Sequence, residues 1–193
     1  IHPRHKSETE RLALTIGYLV TEAVNVRLTT HEGRTVDAHP IAVDFPTGLG
    51  LVQPLGPLGV APLPRGKAAA VNAGDRVTAI SHGGRAHALA ARVVAKNEFA
   101  GYWEYLLDEA LFTAPLHPAW SGAALVDARG RLVGIGSLFV QQVVDGEATR
   151  GNMFVPIDVL EPVLDDFLTH GRRQGPPRPW LGMYASEAED TVF

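Results

Sequence analysis

The sequence predicts an all-β protein made of antiparallel hairpins, and three features predict it. Short β-branched and apolar runs recur along the 193 residues, separated by turn residues. Twenty glycines and 14 prolines are spread over the chain, which argues for frequent turns rather than a disordered tail. The helical crossovers that a parallel βαβ sheet requires are missing between the runs. An antiparallel sandwich or barrel follows.

Residues 24–30 and 35–43 flank the turn His31-Glu32-Gly33-Arg34. Pro46-Thr47-Gly48 marks the next reversal. Residues 54–70, with four prolines and three glycines, read as a stiff strap between two halves of a β-domain. Residues 76–80 and 87–94 flank His82-Gly83-Gly84, and residues 123–126 and 132–135 flank Ala128-Arg129-Gly130. One helix stands out. Asp158 is placed as its N-cap, with Glu161 three residues on and Pro162 in the first turn. Leu160, Val163, Leu164, Phe167 and Leu168 form its apolar stripe, and Gly171 ends it.

Composition narrows the function. A formal net charge of −4 lacks the basic footprint of a nucleic-acid binder. No apolar run reaches the roughly 18 residues of a membrane span. Cysteine is absent, so disulfides and thiolate chemistry are excluded. The eight histidines show no HxxxH or HxH spacing, so a sequence-local metal site is not supported and no cofactor is assigned.

The chemically informative stretch is Pro118-Ala119-Trp120-Ser121-Gly122-Ala123-Ala124-Leu125, a small-residue loop carrying a serine into a hairpin. A nucleophilic serine needs such a loop, whose backbone N–H groups can face a developing oxyanion. The segment resembles the Pro-Gly-Asn-Ser-Gly-Gly-Pro-Leu loop of the HtrA/Deg family of trypsin-like serine proteases. Further stretches resemble the family in the family's order: Leu14-Thr15-Ile16-Gly17-Tyr18-Leu19-Val20, Asp44-Phe45-Pro46-Thr47-Gly48-Leu49-Gly50-Leu51, Gly74-Asp75-Arg76-Val77-Thr78-Ala79-Ile80 and Val155-Pro156-Ile157-Asp158. Arg178-Pro179-Trp180-Leu181-Gly182 is similar to the first strand of the PDZ domain that follows in the family.

The resemblance implies a chymotrypsin-like double six-stranded β-barrel with a C-terminal helix over residues 1–175, its opening strand lying before Ile1. Residues 176–193 would be a linker and the start of a PDZ-like domain. It implies Ser121 as nucleophile, and Ala119 and Ser121 as the oxyanion-hole backbone. It also implies departures. Tyr18 stands where the family has its histidine base, and Gly48 where it has the aspartate. His117, Trp120, Gly136 and Ser137 are expected to line the cleft. A serine hydroxyl is a poor nucleophile without an adjacent base, and tyrosine, with a usual pKa of about 10, holds its proton near neutrality.

Three readings stay open from the residues. One is a pseudo-peptidase that binds a peptide or protein. A second is an active serine hydrolase with an unusual base, for which His117 and Lys96 are the candidates. A third is a metal-binding or chaperone-like envelope protein. The aromatic and acidic run Phe99–Tyr105 is either a binding rim or cross-strand packing. The resemblance further implies a bacterial periplasmic or envelope setting and a homo-oligomer.

Overall fold

The computed structural model describes residues 12–101, 105–144, 147–176 and 182. The expected linker and PDZ-like strand at 176–193 lie almost wholly outside them, as do Tyr102, Trp103 and Glu104 of the aromatic run.

The chain folds into two β units. The first contains β1 (Ala13–Ile16), β2 (Val26–Thr29), β3 (Thr35–Asp44) and β4 (Leu49–Pro54), in the order β1-β4-β3-β2, all antiparallel. The second is a closed barrel of β5 (Arg76–Ile80), β6 (Leu89–Ala100), β7 (Leu106–Ala114), β8 (Ala124–Asp127), β9 (Leu132–Val144) and β10 (Glu147–Pro156), in the order β10-β7-β6-β5-β8-β9. The expectation of two six-stranded barrels therefore holds for the second unit. Among the described residues the first is a four-stranded half-barrel.

The predicted hairpins fall at their turns, but β6 and β9 run well past the predicted ends at 94 and 135. Their extensions are register-shifted pairings with β7 and β10. A bulge interrupts the two-residue alternation from which strand length is read.

The barrel interior is filled by Val77, Ala79, Val93, Leu111, Leu125, Val133 and Phe154. A second cluster joins the units. Ile16, Leu49 and Leu51 from the half-barrel pack with Leu107, Phe112, Ile135, Met153 and Val155 from the barrel. The junction is thus a hydrophobic core, each buried aliphatic side chain contributing about 1.5–3 kcal/mol, and it fixes whatever lies along its rim.

The C-terminal helix is shorter than its sequence suggests. A 3-10 segment, Ile157–Val163, contains Pro162, and α1 spans only Leu164–His170 before Gly171 turns left-handed at φ +70°. Leu160, Val163 and Phe167 are buried as expected, whereas Leu168 is exposed. Asp158 does not cap this helix. Its carboxylate accepts from the N–H groups of Ala68 and Ala69, at 2.9 and 2.8 Å, at the end of the proline-rich strap. The residue type was right for capping, but the orphan donors it serves belong to another segment.

Candidate functional site

Two backbone devices bring the predicted residues together. After β1 the chain makes a 3-10 turn, Gly17–Leu19. Gly17 donates to the Gly48 carbonyl at 2.7 Å, and a Cβ at position 17 would meet Val43 Cγ1 at 2.9 Å and that carbonyl at 3.2 Å. This close approach welds the Tyr18 turn to the β3–β4 turn. The latter is braced by a local side-chain-to-backbone bond: the Asp44 carboxylate accepts from Thr47 N–H (3.2 Å) and Thr47 Oγ1 (2.7 Å), and Gly48 closes the turn at φ +74°.

On the barrel side, Gly122 donates to the Gly136 carbonyl (2.9 Å), Gly136 to the Ala123 carbonyl (2.7 Å), and Ala123 to the Trp120 carbonyl (2.9 Å). Gly136 is required there, because a Cβ would collide with the Trp120 carbonyl oxygen. The loop is thereby held against the half-barrel, where a Cβ on Gly122 would lie 2.9 Å from Thr15 Oγ1.

Tyr18 and Ser121 meet across the junction, with Tyr18 Oη 2.7 Å from Ser121 Oγ. The phenol also donates to the Ser137 carbonyl at 2.5 Å. A carbonyl can only accept, and a phenol has one proton. That proton is committed to Ser137, so at the other contact Ser121 donates and Tyr18 accepts. Ser137 is fully buried, and its own hydroxyl bonds Tyr105 Oη. The site is a relay of contacts, Ser121, Tyr18, Ser137 and Tyr105, in which Ser137 meets Tyr18 through its carbonyl and Tyr105 through its separate hydroxyl, so no continuous proton path runs through it.

Gly48 contributes no side chain to this relay, and its space is filled. A Cβ there would come within 2.6 Å of Tyr105 Cδ1 and closer still to Cε1. Tyr105, buried at the foot of β7, stacks obliquely on Phe99 with ring centroids 6.1 Å apart. Of the two readings of the aromatic run, these residues take the packing role. Tyr105 is the site residue that sequence reasoning missed: it was visible only as one member of an aromatic hairpin, with no spacing signal tying it to position 48. Gly17, Tyr18, Glu22, Phe45, Gly48 and Tyr105 line part of a cavity of about 320 Å3 beside the relay.

The two alternative bases are engaged elsewhere. His117 is 2% exposed. Its Nε2 donates to the His87 carbonyl at 2.9 Å, so Nδ1 is the lone-pair nitrogen, and it accepts the Ala119 N–H at 3.1 Å. Asn152 Oδ1 accepts from the His117 N–H at 2.7 Å and fixes the backbone. His117 therefore binds one of the two N–H groups that the resemblance assigns to an oxyanion hole. Lys96 pairs with Glu109 (3.1 Å) and donates to the Ala68 carbonyl (3.3 Å), not to Ser121. Trp120 packs its ring on Phe139, centroids 6.1 Å apart. Among the described residues, no three His, Asp or Glu side chains gather as a metal site, and no helix is long and apolar enough to cross a membrane.

A charged pair supports the turn from behind. Arg173, just past α1, grips Asp44 with two hydrogen bonds of 2.9 and 2.7 Å. Burial disfavours the Asp44 carboxylate, but the Arg173 and Thr47 hydrogen bonds and the guanidinium charge outweigh it and hold the carboxyl below its ordinary value.

The model of the trypsin-like peptidase domain matches residues 6–135. Among solved structures, the HtrA-type protease AlgW with decapeptide superposes at a TM-score of 0.70 with 20% identity, over 84% of this chain and 50% of that one. The HtrA-type protease AlgW with tripeptide superposes at 0.67 with 18% identity, over 84% and 54%. The chain thus spans about half the length of these structures. A search of curated proteins found no match. The family model covers most of the chain, and the barrel, half-barrel and C-terminal helix reproduce the fold of HtrA-type proteases; the chain belongs to the trypsin-like peptidase domain family.

Proposed function

We propose that this chain is a trypsin-like peptidase homologue without proteolytic activity, which binds a peptide or protein segment along the junction of its two β units. The single observation that carries the reading is that a tyrosine hydroxyl, Tyr18 Oη, lies 2.7 Å from Ser121 Oγ and donates its proton to the Ser137 carbonyl. General-base activation requires a group that can take the serine proton as the oxygen attacks. Tyr18 Oη is a neutral phenol whose own proton is spent on Ser137. It accepts the Ser121 proton in a hydrogen bond but lacks the basicity to remove it. In a triad protease, losing the serine or histidine costs about 10⁶ in turnover.

Two further features support the reading. The carboxylate position is occupied by the Tyr105 ring, so an imidazole at position 18 would have no orienting partner there. The Ala119 N–H is bonded to His117, which leaves a tetrahedral intermediate short of a donor worth about 10²–10³ in rate. Peptide binding is suggested by the decapeptide and tripeptide in the HtrA-type structures. An envelope setting and a homo-oligomer belong to the same proposal.

The test is a fluorophosphonate probe, which reacts with activated serines. Near neutral pH the protein should label no faster than its Ser121→Ala variant. Rapid labelling of Ser121 would overturn the proposal.

A further inference from the structure

On the barrel wall, at the opposite end of β8 from the Ser121 loop, two arginines stand face to face. Arg76 on β5 is directly opposite Arg92 on β6, and Arg92 is directly opposite Ala114 on β7. Like charges placed directly opposite across an antiparallel pair are destabilising, and both side chains here are free of ion pairs among the described residues. The carboxylates of Asp75 and Asp127 are engaged elsewhere. Asp75 accepts from the Asn72 N–H, and Asp127 is held by Arg131 and the Arg129 N–H. Arg92 donates to the Gly74 carbonyl at 2.9 Å, which steadies the guanidinium and leaves its other N–H groups available.

Around the pair the residues are small. Ala90, Ala114 and Ala128, with Thr78 and Pro115, complete a trough of about 460 Å3. A cross-strand cation pair without a counter-charge among the described residues, lining a cavity with mainly small apolar residues and one hydroxyl, is arranged for an anion with more than one oxygen. Two guanidinium forks match a phosphoryl group better than a monodentate anion.

We propose that Arg76 and Arg92 form a binding site for a phosphoryl group attached to a small organic body. The shared chemistry is the phosphate oxyanion, carried by a soluble phosphorylated molecule or a phospholipid headgroup. The site lies apart from the Ser121 relay, and its test does not depend on whether the serine is active.

The experiment titrates the whole chain with inorganic phosphate, following amide resonances of residues 76–78, 92 and 114 at constant ionic strength. A second arm measures co-sedimentation with phosphatidic acid vesicles against phosphatidylcholine vesicles. Saturable phosphate binding without vesicle binding identifies a soluble ligand, and co-sedimentation with phosphatidic acid but not phosphatidylcholine vesicles identifies a headgroup. In either arm Arg76→Gln or Arg92→Gln should weaken binding about tenfold or more, the loss expected for one charge-assisted pair. Arg76→Gln should melt no lower than the parent without phosphate, because it relieves the repulsion without removing the Arg92–Gly74 hydrogen bond. Absence of binding in both arms, equal displacement by chloride, or unchanged binding in the double variant would each overturn the proposal.

Discussion

The Tyr105 ring lies against the Cα of Gly48, in the space that any side chain at position 48 would enter. The two residues are complementary: the glycine makes room, and the tyrosine fills it and reaches Ser137. Gly48 also sits at φ +74°, so Gly48→Ala combines a left-handed backbone penalty of about 1–2 kcal/mol with overpacking of about 1–3 kcal/mol. Urea unfolding should show a loss of several kcal/mol in the single variant. Much of the overpacking part should be recovered against a Tyr105→Ala background. Strict additivity of the two substitutions would remove the complementarity argument.

On the proposed reading, a working triad would need more than a histidine at position 18 and a carboxylate at position 48. Tyr18→His alone should leave fluorophosphonate labelling of Ser121 near background, because the imidazole gains no carboxylate partner; loss of that partner in a triad enzyme costs about 10⁴. Tyr18→His with Gly48→Asp should fold poorly while Tyr105 remains. Adding Tyr105→Gly should restore the fold and raise the labelling rate at least tenfold over the Tyr18→His protein. Equal rates in the single and triple variants would mean that Tyr105 does not obstruct the site.

The readable part of this molecule was local. Hairpins, turn glycines and the helix stripe follow from two- and four-residue periodicities, and the motif order was enough to anticipate that Tyr18 and Ser121, 103 residues apart, approach each other. What escaped depended on where side chains end up. Asp158 was recognised as a capping residue, but its targets lie about 90 residues away. The Arg173 clamp on Asp44 spans 129 residues with no motif marking the arginine. Tyr105 reads as hairpin packing because Phe99 supplies an adequate local partner. Its contact with Gly48 becomes visible only once the two β units share a core.

His117 offers a direct check on the backbone of the serine loop. Its hydrogen bonds demand the Nε2–H tautomer, with Nδ1 accepting from Ala119. Long-range 15N correlation spectra near neutral pH should show that tautomer alone. His117→Ala would leave the Ala119 N–H and the His87 carbonyl to find other partners in a buried position. It should cost about 2–3 kcal/mol. On the proposed reading it should not change Ser121 labelling by itself, because Tyr18 still stands beside the serine. A Nδ1–H tautomer would show that the Ala119 N–H is not bound as described.

The Asp44–Arg173 pair predicts how the fold responds to acid. Asp44 is 3% exposed and its carboxyl is held below the ordinary value. For a depressed folded-state pKa, the stabilisation is fully present above the unfolded value of about 3.9 and is lost as pH falls through the folded value. The parent protein should thus keep this contribution down to about pH 4. Arg173→Gln removes the cation and leaves burial, which opposes ionisation, balanced only by Thr47. The carboxyl then titrates at higher pH. The variant should lose about 1–3 kcal/mol at neutral pH, the arginine being partly exposed, and its acid unfolding midpoint should move upward. Urea unfolding at a series of pH values checks both. Parallel stability profiles for the two proteins would show that the clamp does not set the ionisation of Asp44, and the β3–β4 turn would then owe its shape to Thr47 and Gly48 alone.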